Sequence, residues 1–326
     1  MNENQAGMPF LIIMPVFNDW SSLDPLLRQL DEELSRKDLE VEILLIDDAS
    51  TLKPPGTFGS GHKRIAKIEI LRLKRNLGHQ RAIAIALAHI EEKVPCQAVV
   101  VMDADGEDKP EDAIRLIEEY QRGDQESVIF AQRTKRSEGF LFRLSYFIYR
   151  KLYKTLTGQE IRIGNFSVIP HQLLTRIVVV SEIWNHYSSG ILKARIPHRY
   201  IPTDRSNRLA GSSRMNYVQL VVHGLSAISI YGDVIGVRAL MATTVLAVIS
   251  VFLIIIAIVI RSATDLAIPG WATYVVGLSA IILLQSITIS FSFVFLILNG
   301  RNNYSFLPQR DYQYFVLDVR RVFPAS

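Results

Sequence analysis

The chain is expected to fold as an α/β protein with a mostly parallel sheet, followed by interfacial helices and a two-helix membrane anchor. Three observations carry that expectation. Short, uncharged, β-branched runs such as Ala98-Val-Val-Val-Met102 alternate with stretches of helical apolar spacing, the pattern of buried parallel strands and their crossover helices. Several of these runs end in acidic residues, as in Asp103-Ala104-Asp105, and ligands of open α/β sheets sit beyond the carboxyl ends of the strands. Two long charge-free segments follow in the C-terminal third.

Phe10–Met14 reads as the first strand, closed by Pro15 and a turn at Asn18-Asp19; Leu23–Leu34 has helical spacing, with Ser21 or Ser22 as N-cap. Val41–Ile46 is a second buried strand, ending in Asp47-Asp48-Ala49-Ser50, and Lys67–Leu73 a third. Asn76-Leu77-Gly78 opens a helix to about Ile90, and the fourth strand carries the acidic pair. Pro110 starts a helix with acids in its first turn, as the helix dipole favours, and Ser127–Ala131 is a short fifth strand.

After Gly139 the pattern changes. Between residues 140 and 154, Phe140, Leu144, Phe147, Leu152 and Tyr153 are interleaved with Arg143, Arg150, Lys151 and Lys154. That mixture suits an amphipathic helix in a headgroup layer, the bland alternative being a packed surface helix with snorkelling basic side chains. Residues 216–237 read as a juxtamembrane helix. Ala239–Ile260 is charge-free for 22 residues, and Trp271–Leu298 lies in a second charge-free run; about 20 apolar residues cross a ~30 Å hydrocarbon core. Basic residues are denser outside this hairpin, so both ends are expected on the cytoplasmic side of an inner membrane, with 301–326 as a cytoplasmic tail.

Composition agrees. The hydrophobic share is 49% and the mean hydropathy +0.19, both above a soluble domain's needs. A net charge of +4 is too small to imply a nucleic-acid partner, although Lys and Arg cluster at 133–154 and 195–214, as beside anionic lipid or phosphate. Cys96 is the only cysteine, which excludes a disulfide framework. No signal peptide is expected, because Pro9 and Pro15 interrupt the first apolar run. His62, His171, His186, His198 and His223 lack metal-ligand spacing, and Trp184 and Tyr187 are assigned to packing.

Four features stand on successive carboxyl-end loops: Pro15-Val-Phe17-Asn-Asp19, Asp47-Asp48-Ala-Ser50, Arg75-Asn-Leu-Gly-His79 and Asp103-Ala-Asp105. Two carboxylates held close together call for a compensating cation, and oxygen ligands suit Mg²⁺ or Mn²⁺, whose shell substrate phosphates commonly complete. In this order the motifs resemble the family 2 glycosyltransferases of GT-A (Rossmann-like) fold, and specifically the polyprenyl-phosphate group that includes dolichyl-phosphate mannose synthases and undecaprenyl-phosphate glucosyltransferases. The likeness spans residues 1–215 by motif and the remainder by its two-span anchor.

The resemblance implies a metal-dependent, inverting transfer of one sugar from a nucleotide diphosphate sugar to a polyprenyl phosphate at the membrane, and is compatible with a homo-oligomer. It assigns nucleotide-sugar contacts to Pro15, Phe17, Asp19, Asp48, His79, Asp103, Arg133 and Asn165. The metal falls to Asp105 and Asp103, and loop closure over phosphates to Arg208 and Arg214 in Arg208-Leu-Ala-Gly-Ser-Ser-Arg214. Three positions depart from the family pattern: His79 for Lys, Gly106-Glu107 for Leu-Gln, and Asn165 for the Asp of Gly-Asp-Phe. An amide at 165 suits an acceptor that is already ionised better than a hydroxyl that needs a base. Transfer to a glycan hydroxyl and a non-catalytic nucleotide-sugar-binding scaffold remain the alternatives; a processive polysaccharide synthase is disfavoured by the absence of a Gln-x-x-Arg-Trp motif.

Overall fold

A computed structural model describes residues 7–55, 58–133, 150–159, 164–204, 206, 208–209, 217–264, 270–302 and 306–324. The chain begins β1 (Phe10–Val16), α1 (Trp20–Lys37), β2 (Val41–Asp47), β3 (Ile65–Leu73), α2 (His79–Lys93), β4 (Ala98–Val101), α3 (Pro110–Arg122) and β5 (Val128–Arg133). A helical stretch at 150–157 (α4) follows, then β6 (Ser167–Pro170), α5 (His171–Ile177), α6 (Tyr187–Lys193) and β7 (His198–Thr203). The chain ends with α7 (Tyr217–Ser229), α8 (Gly232–Ala263), α9 (Trp271–Asn302), α10 (Pro308–Asp311) and β8 (Val316–Phe323).

The eight strands form one sheet in the order β7-β5-β6-β4-β1-β2-β3-β8. β4, β1, β2 and β3 run parallel, as their uninterrupted apolar runs require, while β6 and β8 are antiparallel to their neighbours. Each face of the sheet has its own core. On one, Leu23, Leu27 and Leu30 of α1 pack with Ala113 and Ile117 of α3; on the other, Ile83 and Leu87 of α2 pack with Leu174 of α5 and Ile191 of α6. Burial on both faces fixes the register of the central strands, so their acidic ends come out on one edge.

The described residues divide into two compact units. One holds the sheet, α1–α3, α5–α7, α10 and β8; the other holds α4, α8 and α9. Within the second unit, Arg238 donates to the carbonyl oxygens of Thr155 and Leu156 at 2.6 and 3.0 Å, satisfying carbonyls at the end of α4. Thr243 and Ser290 join α8 to α9 by a hydroxyl pair at 2.7 Å. Both helices are long and apolar enough to cross a membrane, and they leave Phe252, Phe291 and Phe295 exposed.

Three strands were not anticipated. β6 is only four residues long, β7 carries His198 and Arg199, and β8 carries Asp318, Arg320 and Arg321. The last lies in the segment read as a tail, and it returns to the sheet as its edge. The juxtamembrane stretch is two pieces, α7 and the first turns of α8, parted after Ser229. The amphipathic segment at 140–154 lies outside the described residues except for the first turn of α4.

Candidate active site

Strand ends β1, β2 and β4 and the start of α2 meet at one edge of the sheet. Asn18, with φ +58°, ties the first two together. Its amide N–H donates to Ser50 Oγ at 2.9 Å, and its side-chain oxygen accepts from Leu52 N at 2.8 Å. Asn tolerates the left-handed conformation better than most residues and bonds locally to the backbone. Pro15 is buried in β1, and Phe17 is 40% exposed at the strand's end.

Asp19 occupies the N-cap position of α1 without capping it. Its carboxylate is instead held by the guanidinium of Arg208, which also reaches Asp105 Oδ2 at 3.5 Å. One cation therefore bridges acids from the ends of β1 and β4.

Asp48 is 3% exposed, and its two oxygens accept from Leu77 N and Gly78 N at 2.7 and 2.8 Å. Burial pushes its carboxyl pKa up, and these two bonds recover only part of that cost. In this arrangement Asp48 shapes the turn into α2, where Gly78 has φ +90°. A contact to a base edge would have to use lone pairs left over from the backbone bonds.

His79 opens α2 with Nε2 3.2 Å from Asp103 Oδ1. The two are close enough to attract as charges, but they are not aligned for a hydrogen bond, and Nε2 is closed off from solvent. Burial alone would depress the imidazole pKa. Asp103 first, then Asp108 and Asp105, outweigh it and hold the pKa above its ordinary value. Arg208 and the His79 ring thus both lie against the acids.

Behind the acidic pair, Asp108 is 5% exposed and accepts from the backbone N–H of Asp103 at 3.0 Å. Asp105 Oδ1 accepts from Glu107 N at 3.0 Å. Between them Gly106 adopts φ +82°, and a Cβ there would lie 2.6 Å from Leu209 Cδ1. Leu209 N also donates to Asp105 O at 3.0 Å. The departure at 106 therefore makes room for the residue next to Arg208.

Asn165 precedes β6, and its Oδ1 accepts from Gln80 Nε2 at 3.3 Å. Arg133 ends β5 opposite Thr203 of β7. Arg214 lies outside the described residues. Of the residues singled out from sequence, Asp19 and Asp105 meet through Arg208, and His79 lies against Asp103. Asp108 and Gln80 were missed. Asp108 bonds to backbone, and Gln80 stands between His79 and Arg81 at the start of α2, where the sequence pattern does not mark it.

Among the described residues no group of three or more His, Cys, Asp or Glu side chains is set to hold a metal. Asp103 and Asp105 still fit a hard divalent ion. They are oxygen donors, 24% and 18% exposed, and their charge calls for compensation.

The mostly parallel mixed sheet, with helices on both faces and acids at its carboxyl edge, is GT-A-like. The profile of glycosyl transferase family 2 matches residues 11–184, more than half of the chain, and the protein belongs to that family. Among relatives, the glycosyltransferase YkcC of Bacillus subtilis is 23% identical over 271 residues, 82% of each chain. The bactoprenol glucosyl transferase of Shigella phage SfX is 26% identical over 231 residues, 69% of this chain and 73% of its own. Among solved structures, glucosyl-3-phosphoglycerate synthase from Mycobacterium tuberculosis, with Mn²⁺ and UDP, aligns with a TM-score of 0.49 and 14% identity. That alignment covers 71% of this chain and 81% of the other.

Proposed function

We propose that this glycosyltransferase moves one sugar, with inversion, from a nucleotide diphosphate sugar to a polyprenyl phosphate at the cytoplasmic face of a membrane. The observation that carries the reading is the acidic edge formed by Asp19, Asp103 and Asp105 under Arg208, on a chain that also bears two membrane-length helices. The name of the Shigella phage relative, a bactoprenol glucosyl transferase, supports the acceptor class. Residues 1–215, with β8 as the returning edge strand, would form the catalytic domain and 238–300 the anchor.

Asp103 and Asp105 would hold Mg²⁺ or Mn²⁺, which supplies Lewis-acid stabilisation of the departing nucleoside diphosphate. Arg208 would exchange its carboxylate partners for substrate phosphate, a bidentate contact available to guanidinium. His79, 3.2 Å from Asp103, would stand beside the same phosphates. The acceptor phosphate is ionised at neutral pH and attacks the anomeric carbon; the new glycosyl–phosphate bond forms as the bond to the nucleotide breaks. No general base is needed, which agrees with an amide at 165.

The test uses the purified full chain in detergent with undecaprenyl phosphate, metal and a panel of radiolabelled nucleotide sugars. Label from one donor should pass into the chloroform–methanol phase and be lost in Asp105→Ala. A wild-type protein that labels a glycan hydroxyl and leaves the lipid phosphate untouched would refute the reading.

A further inference from the structure

Asn165 is held from behind by a chain of hydrogen bonds whose direction is set by backbone groups. The amide N–H of Tyr187 can only donate, and it lies 2.6 Å from Gln80 Oε1. That fixes the orientation of the Gln80 amide. Its Nε2 therefore faces Asn165, and Asn165 Oδ1 must be the acceptor of the 3.3 Å bond. A second chain holds the backbone of the same residue. Ser167 Oγ donates to the carbonyl oxygen of Asn165 at 2.9 Å, so Tyr187 Oη is the donor in its 2.8 Å bond to Ser167 Oγ. Gln80 is 9% exposed, and Tyr187 and Ser167 are fully buried, so solvent does not compete for these groups.

With Oδ1 committed, the free face of the Asn165 side chain is its NH₂ group; among the described residues nothing accepts from it. The strand register says where the residue stands. β4 and β6 pair antiparallel, with Val101 opposite Ser167. Asn165 and Asp103 each lie two residues beyond that last pair, at the same end of the two strands. Gln80 itself follows His79, whose ring lies against Asp103.

We propose that Gln80 is a positioning residue that presents the Asn165 amide as a fixed hydrogen-bond donor to a phosphate oxygen of the substrate. The inference rests on the proposed transfer to a lipid phosphate and extends it to the selection of an anionic nucleophile. A neutral donor stabilises an ionised phosphate. A carboxylate at the same point would repel it and would favour a hydroxyl acceptor whose proton must be removed. The phosphate oxygen belongs to the acceptor or to the donor's pyrophosphate, and kinetics separate the two.

Gln80→Glu tests the claim from a distance. The carboxylate keeps the shape of Gln80 and still accepts from Tyr187 N, but its other oxygen now requires a donor. The Asn165 amide then turns over and presents Oδ1 to the substrate. Asn165→Asp changes the same face directly at a half-buried site. Both variants should raise KM for undecaprenyl phosphate about tenfold, roughly 1.4 kcal/mol, while kcat changes much less. A rise in KM for the nucleotide sugar instead assigns the contact to the donor pyrophosphate. Both constants within twofold of wild type in both variants overturns the proposal. If wild-type protein transfers nothing to the lipid, the acceptor reading is what fails. Calorimetric affinity for the nucleotide sugar that binds wild type most tightly in that panel, measured in the same variants, then decides the role of Asn165: weakening supports it, and unchanged binding overturns it.

Discussion

Arg72 on β3 and Asp318 on β8 pair fork to fork across the edge of the sheet, Nε to Oδ1 at 2.6 Å and Nη2 to Oδ2. The bond holds down the carboxyl pKa of Asp318. It is reinforced by Tyr312, whose hydroxyl donates to Glu92 on α2 at 2.7 Å. A segment separated from β3 by both long apolar helices is thus part of the unit that holds the sheet. Asp318→Ala should lower stability by about 1 kcal/mol, a half-exposed pair being worth no more, read as a shifted denaturation midpoint in detergent. Deleting residues 308–326 should do more. It opens the backbone of β3, and size-exclusion chromatography should then show association through that edge; a monodisperse, equally stable truncation would contradict the role of β8.

Asp31, 8% exposed on α1, accepts from the backbone N–H groups of Lys63, Arg64 and Ile65 at 2.8–3.0 Å. Burial raises its pKa, but the three bonds outweigh burial and leave it below the ordinary value. A depressed folded pKa stabilises the protein above the unfolded carboxyl value, about 3.9, and that stabilisation is lost as pH falls through the folded value. Asp31→Asn should cost about 2 kcal/mol at pH 7. The variant's stability should also fall less than the wild type's on acidification; parallel curves would show that the carboxylate charge is not what matters.

Gly106 should tolerate no side chain. Alanine there meets Leu209 and is strained at φ +82°, a conformation costing L-residues about 1–2 kcal/mol. Since Leu209 adjoins Arg208, Gly106→Ala should reduce kcat/KM by more than tenfold with a stability loss of only about 1–2 kcal/mol. Retained kinetics would mean that the loop's position does not govern turnover.

Removal of divalent ions should abolish transfer, and Mg²⁺ or Mn²⁺ should restore it in wild type but not in Asp105→Ala. Arg208→Ala takes away the cation shared by Asp19 and Asp105. Its metal-free form should melt several degrees below wild type, and added Mg²⁺ should raise its Tm by more than it raises that of wild type. An equal rise in both proteins would separate Arg208 from the ion's charge balance.

The buried strands were legible because apolar runs buried on both faces admit few other readings: β1–β5 appear within a few residues of where their patterns place them. β6–β8 were not, for distinct reasons. Ser167–Pro170 is too short for periodicity to register, whereas β7 and β8 carry charges that solvent accepts at an edge. At the site, the acids at strand ends and Arg208 were legible from motif order. The buried hydrogen bonds of Asp108 and Gln80 were not, since their partners are main-chain and amide groups brought together only by folding. Asp48 shows the opposite case: its motif was plain, but its commitment to Leu77 and Gly78 was not.

The position of β8 after α8 and α9 has a consequence for biogenesis. A ribosome making this chain delivers both long apolar helices before the strand that closes the sheet. Until residues 316–323 emerge, β3 presents an open hydrogen-bonding edge, the kind of surface that chaperones shield during synthesis. Completion of the enzyme therefore waits on its last strand, and a stall after α9 would leave a nascent chain whose sheet is still open at β3.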